Sequence, residues 1–191
     1  MFGLTKITQR FIKSDFEGFV PKTQKQADLK KYLLDCLKAG FKDNIIITGG
    51  VGIGKTHLAY AIVNALEKVV DLPNNAKIYT CDKVVLVSAS DLLKNIKKLW
   101  DKEKDATDFE VVETYKKIDL LIIDEIGVQY DTKSERLEMF EIINTRYGNE
   151  LPTIILSNYD KQTIEKTLGK RASDRLYGGA KVFNLDGVSQ R

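Results

Sequence analysis

Cysteine and histidine are scarce in this chain. Cys36 and Cys81 stand far apart with no Cys-x-x-Cys pairing, and His57 is the single histidine. That scarcity argues against a disulfide framework and against a structural zinc site. An excess of one charge is also lacking. Thirty Lys and Arg against 27 Asp and Glu leave a net charge of +3 and a pI near 8.7, so composition alone makes no case for nucleic acid. No apolar run approaches the length of a membrane span, and Met1 to Arg10 lacks the apolar centre of a signal peptide. A cytoplasmic protein without a membrane partner is the expectation. Internal repeats and low-complexity tracts are absent too. What remains, 191 residues at 43% hydrophobic content, suits one α/β domain with a sizeable core.

The most informative stretch is Gly49-Gly50-Val51-Gly52-Ile53-Gly54-Lys55-Thr56, a full match to the phosphate-binding loop Gly-x4-Gly-Lys-[Ser/Thr]. Asn44 to Thr48 ahead of it is β-branched and apolar, as a buried strand requires. Lys55 to Leu66 behind it repeats apolar residues at helical spacing. The glycines allow a tight turn whose N–H groups, with the helix N-terminus, point at a polyphosphate. Lys55 adds positive charge for the outer phosphates, and the Thr56 hydroxyl is placed to ligate Mg²⁺. His57 belongs to the following helix and reads as a packing or helix-surface residue bordering the nucleotide rather than a catalyst. The chain is expected to bind a nucleoside triphosphate.

Residues 1 to 22 are polar with scattered aromatics (Phe2, Phe11, Phe16, Phe19) and read as an arm lying on the domain; residues 23 to 191 read as the core. Within it, residues 23 to 39 form a helix stopped at Gly40, and the helix after the phosphate loop runs to about Val70. Lys77 to Thr80 and Val84 to Ser88 each suit a strand, and Ser90 is placed to cap a helix from Asp91 to about Lys102. A short amphipathic helix follows at 109 to 117. Strands at Asp119 to Asp124, Pro152 to Ser157 and Lys181 to Leu185 alternate with a helix at 133 to 148 and a helix or helix pair at 160 to 177. This alternation predicts a parallel sheet covered on both faces.

Leu120-Leu121-Ile122-Ile123 ends in Asp124-Glu125. A buried parallel strand delivers its functional groups at its carboxyl edge, where ligands of open α/β sheets bind. Asp124 suits Mg²⁺, directly or through water. Glu125 suits a base that deprotonates the water attacking the γ-phosphate. Thr153 to Leu156 repeats the pattern and ends in Ser157-Asn158, so Asn158 is a candidate to contact the γ-phosphate and that water; Ser157 is a weaker one. A water-activating Glu125 beside Asn158 argues against a small-molecule kinase. Arg171 and Arg175, four apart on one helical face, suit neutralisation of a phosphoryl transition state from a neighbouring subunit, or else a solvated surface.

Gly49 to Ala59, Asp119 to Gly127, Ile142-Ile143-Asn144-Thr145-Arg146-Tyr147, Pro152 to Asn158 and Asp174-Arg175-Leu176 resemble, in that order, the DnaC/IstB-type AAA+ ATPases, the bacterial and phage helicase loaders and transposition helpers. The likeness runs from about Phe16 to Arg191. It implies a P-loop NTPase of AAA+ type with a parallel five-stranded sheet, helices on both faces and a helical lid absent or vestigial. It also implies Asn158 as the sensor asparagine and Arg175 as the arginine finger, with Arg171 the second candidate. Arg146 and Tyr147 match a family motif without a role derivable from the sequence. Family members often carry Asp-Asp where this chain has Asp124-Glu125, which keeps the chemistry and lengthens the base. Full loaders usually carry a helicase-binding domain ahead of the ATPase, whereas about 43 residues precede the first strand here. Arg191 follows too soon after Leu185 to be expected as a second sensor.

The resemblance implies ATP with Mg²⁺, a replicative helicase as partner, and a homo-oligomer formed on ATP or DNA. A transposition helper and a non-hydrolysing ATP-dependent switch are the alternatives. The family's single-strand-binding region corresponds here to the helix after Ser90, where Lys94, Lys97 and Lys98 lie at i, i+3 and i+4 beside Leu93, Ile96 and Trp100. Those lysines either track phosphates of single-stranded DNA or form the solvated face of a packed helix.

Overall fold

The computed structural model describes residues 11, 13–66, 68–71, 77–80, 83–99, 106–127 and 132–187. Five strands, β1 (Ile45–Gly49), β4 (Val84–Ser88), β5 (Leu120–Asp124), β6 (Thr153–Ser157) and β7 (Lys181–Leu185), form one parallel sheet in the order β4-β5-β6-β1-β7. A separate antiparallel pair joins β2 (Lys68–Asp71) to β3 (Lys77–Thr80). The main sheet matches the expected five strands. The helix after the phosphate loop, expected to reach about Val70, stops at Leu66, and Lys68–Asp71 is strand. Lys77–Thr80 is a strand as expected and pairs with β2.

Alternation along each strand divides the core into two layers, because successive side chains point to opposite faces. Ile45 and Ile47 of β1, with Leu120 and Ile122 of β5, pack under α1 (Gln24–Ala39) and α2 (Lys55–Leu66). Ile46, Leu121 and Ile123 pack on the opposite face. There they meet α3 (Ala89–Lys98), α4 (Ala106–Lys117), α5 (Lys133–Gly148), α6 (Lys161–Leu168) and α7 (Lys170–Tyr177). Near-continuous isoleucine and leucine in β5 and β6 follow from burial on both sides.

Helix ends follow local chemistry. Thr23 caps α1 by accepting from the Gln26 N–H, and Gly40 at φ 86° ends it. Ser88, not Ser90, caps α3: its hydroxyl accepts from the Asp91 N–H at 3.1 Å, while Ser90 lies in the first turn. The helix therefore starts at Ala89 and ends at Lys98; Trp100 lies outside the described residues. The fourth helix begins at Ala106, three residues before its expected start. The 160–177 region is a pair of helices parted at Gly169, φ 83°.

Arg146 fixes the amino ends of the central strands. Its guanidinium donates to the carbonyls of Tyr115 (3.0 Å), Ile118 (2.8 Å) and Pro152 (2.6 Å) and to Thr153 Oγ1 (3.0 Å). Burial lowers its pKa to about 10, opposed by the charge of Asp119, so it stays charged at neutral pH. Asn44 adds a second brace: Oδ1 accepts from the Thr153 N–H, and Nδ2 donates to the carbonyls of Arg175 and Leu176.

Candidate functional site

At the carboxyl edge of β1 the chain turns through the glycine-rich loop into α2. Two glycines are required by space as well as by φ. At Gly49 (φ 144°) a Cβ would collide with the Leu185 carbonyl, and at Gly54 (φ 95°) with the Phe19 ring. Gly50 has neither constraint. Ile53 points into the core, while Val51 at the loop tip is exposed.

The Lys55 ammonium is buried and donates to Gly49 O, Gly50 O and Asn158 Oδ1, each at 2.7 Å. Burial holds its pKa below the ordinary lysine range, against the opposing pull of Asp124. Asp124, also buried, is pushed above the usual carboxylate range by desolvation. Hydrogen bonds from Thr56 and the Glu125 N–H oppose that rise, the charge of Glu125 adds to it, and Lys55 opposes it. Both charges are thus costly where they lie, which is the condition of a site built to receive a charged ligand.

Thr56 Oγ1 donates to Asp124 Oδ2 at 2.8 Å, and the Glu125 N–H donates to Asp124 Oδ1 at 2.8 Å. Two hard oxygens in contact suit Mg²⁺, which keeps waters and substrate phosphates among its ligands instead of needing an all-protein cage. Among the described residues there is no acidic, histidine and cysteine cluster of three or more that would form such a cage. Glu125 has φ 60°, a left-handed conformation unusual for a residue with a side chain and costing about 1–3 kcal/mol. The chain reverses there at the strand end, and Glu125 borders the same cavity as Lys55, Thr56, Asp124 and Asn158.

That cavity is about 410 Å³, within the usual span for small-molecule sites. Its far wall is the arm: Phe11, Lys13, Ser14, Gly18 and Phe19 line it. Side chains from α1 and α2 hold the arm by its backbone. His57 Nε2 lies 2.8 Å from the Asp15 carbonyl, Asn64 donates to the Ser14 carbonyl at 2.7 Å, and Lys30 to the Phe19 carbonyl at 2.9 Å. Phe11 stacks on Tyr60 at 4.7 Å, while Phe16 and Phe19 are buried. Sequence reasoning placed the arm on the domain but did not assign it to the cavity. The aromatic spacing was the available signal.

Ser157 is buried at the edge of the same cavity, where it donates to the Ile126 carbonyl at 2.6 Å and accepts from the Tyr159 N–H. Neither Arg171 nor Arg175 borders the cavity; Arg171 is exposed on α7 and Arg175 packs against α5. The three α3 lysines are each paired, Lys94 with Asp91 (3.1 Å), Lys97 with Glu135 (2.9 Å) and Lys98 with Asp108 (3.5 Å). Arg191 lies outside the described residues, and no described helix is long and apolar enough to cross a membrane.

A family described as IstB-like ATP binding protein matches residues 13–191. A curated relative, the replicative helicase loader DnaC of Buchnera aphidicola subsp. Baizongia pistaciae (strain Bp), is 31% identical over 151 residues, 78% of this chain and 57% of that protein. The chain thus spans little more than half of that relative's length. A crystal structure of the DnaC helicase loader superposes with a TM-score of 0.74 at 21% identity, covering 94% of this chain and 100% of that one. AMPPCP-bound DnaA from Aquifex aeolicus superposes with a TM-score of 0.71 at 25% identity, covering 92% of this chain and 51% of that one.

Proposed function

The chain belongs to the IstB-like ATP-binding family of AAA+ proteins, and from that premise we propose that it hydrolyses ATP and helps load a replicative helicase on DNA. One observation carries the hydrolytic part. Thr56 and Asp124, 68 residues apart in sequence, touch at 2.8 Å, with Lys55 and Asn158 joined beside them in one cavity.

In this reading residues 23–191 form the ATPase core and residues 1–22 an arm, of which Phe11, Lys13, Ser14, Gly18 and Phe19 line the nucleotide cavity. The loop N–H groups and Lys55 hold the outer phosphates, Lys55 exchanging its carbonyl acceptors for phosphate oxygens. Thr56 and Asp124 would hold Mg²⁺, which when bound would supply charge neutralisation. Glu125 takes the proton of the attacking water, and Asn158 orients that water. Arg175, or in second place Arg171, reaches the γ-phosphate of a neighbouring copy, so the active form is a homo-oligomer. Helicase loading rests on the likeness to the DnaC loaders. Lys94 sits in a solvent-exposed ion pair that holds it weakly, leaving it available to single-stranded DNA, and Lys98 is exposed beside its half-buried partner Asp108.

Glu125→Gln tests the chemistry. It should keep ATP binding and abolish phosphate release, with and without single-stranded DNA; turnover at the parent rate would end the water-activation role. The resemblance to the IstB-type proteins keeps a transposition helper as the second reading. Retention of the host's replicative helicase by the parent protein distinguishes a loader from such a helper.

A further inference from the structure

Helix α5 carries two neighbouring residues that the nucleotide chemistry leaves unused. Arg146 points inward and braces the sheet. Tyr147, one position on and about 100° further round the helix, is 56% exposed. Phe140 lies two turns earlier on the same face. Together these rings flank the Arg175 guanidinium of α7: its Cζ is 4.6 Å from the centre of the Phe140 ring and 5.9 Å from that of Tyr147. Arg175 Nη1 is buried and has no acceptor among the described residues.

A carboxylate would also order an arginine, but it would cancel the charge. An aromatic seat does not. It restrains a long side chain through the ring faces and leaves the full positive charge for another anion. We propose that Phe140 and Tyr147 are positioning residues for Arg175, holding its guanidinium between α7 and α5 for the polyphosphate bound by a second copy of this chain. The inference rests on reading Arg175 as the trans-acting arginine.

Tyr147 is exposed, so its replacement should leave the fold intact, and it lies outside the nucleotide cavity. Tyr147→Ala should lower kcat about three- to ten-fold, the size of one modest cation–π contact, with KM for ATP unchanged. Tyr147→Phe should keep the parent kcat. The double variant Tyr147→Ala/Arg175→Ala should be no slower than Arg175→Ala alone. Mixing Tyr147→Ala with Glu125→Gln protein should restore turnover, because the second partner lends an intact seated arginine. The Arg175 Nε–H resonance in solution should be shifted by ring currents in the parent and Tyr147→Phe, and should move in Tyr147→Ala. A parent kcat in Tyr147→Ala beside an impaired Arg175→Ala overturns the seat and spares the trans arginine. Parent turnover in Arg175→Ala overturns both. An additive double variant, or a resonance that does not move, shows Tyr147 to act apart from Arg175 and also overturns the seat.

Discussion

Two buried cations sit at opposite ends of the same sheet, Lys55 at the carboxyl ends of the strands and Arg146 at the amino ends. Each is matched by several oxygens, yet the oxygens differ in kind. Three acceptors of Arg146 are backbone carbonyls at the end of α4 and the start of β6, and the fourth is the buried Thr153 hydroxyl. None can leave without the fold changing. Lys55 is met by two carbonyls of a glycine loop and by the side chain of Asn158, which is exposed. Those acceptors can be exchanged for phosphate oxygens at little structural cost. Satisfaction by fixed backbone makes a brace, and satisfaction by movable groups makes a binding site.

Arg146→Leu is the most direct way to break the comparison. It takes the guanidinium from the Thr153 hydroxyl and from three carbonyls, of which Pro152 O keeps the Leu121 N–H at 3.4 Å; an acceptor left buried without a partner costs about 1–3 kcal/mol, partly relieved by rearrangement. A loss of about 3–5 kcal/mol is expected, which for a chain of this size lowers Tm by roughly 6–20 °C. ATP affinity of the folded protein should not change. Thermal denaturation followed by circular dichroism checks it, and a Tm within 2 °C or so of the parent would remove Arg146 from the role of brace.

Lys55→Met should do the reverse. Loss of a charged contact to phosphate, worth about 1.5–3 kcal/mol, weakens ATP binding by roughly ten- to 150-fold. Stability should hold or rise slightly. Burial lowers the Lys55 pKa, so the folded state disfavours its proton and the cation costs stability at pH values below that pKa. Methionine removes the cost and keeps the bulk. Calorimetric titration with ATP beside a melting curve separates the effects; a large fall in Tm would show Lys55 to be scaffold as well.

The binding end was far more legible in the sequence than the brace. Glycine spacing, lysine and threonine at fixed positions and an apolar strand ending in acid are local patterns, and their physical demands are local too. The main sheet could be read for the same reason, since Ile45 to Ile47 and Leu120 to Ile123 show burial on both faces. Arg146 was visible only as part of a family motif, because its partners lie 6 to 31 residues away and are mostly backbone carbonyls. Backbone acceptors leave no trace in side-chain identity. The arm's share of the cavity was hidden likewise: His57, Asn64 and Lys30 grip it through its carbonyls. The helix expected to reach Val70 ends at Leu66, and Lys68–Asp71 is strand because pairing with Lys77–Thr80 prevailed over helical periodicity.

The smallest effect concerns Glu135, a buried charge whose partners combine both kinds. One carboxylate oxygen accepts from the Thr132 N–H at 3.0 Å in the capping box of α5, and the other takes Lys97 of α3 at 2.9 Å. The Lys97 hydrogen bond, then the Thr132 N–H, lower its pKa from 4.5 to about 2. A carboxyl with a depressed folded pKa contributes stability that is present above its ordinary value and lost as pH falls through the folded one. The loss should therefore run from about pH 4.5 down towards about pH 2. Glu135→Gln keeps an acceptor for the cap but gives up the charge, so near neutral pH it should cost about 1–3 kcal/mol, or roughly 2–12 °C in Tm. The gap between parent and variant should close across that acid window. A gap that stays constant from pH 6 to pH 2 would mean the cap works through geometry alone. Closure would show that Lys97 is held by charge at the start of α5.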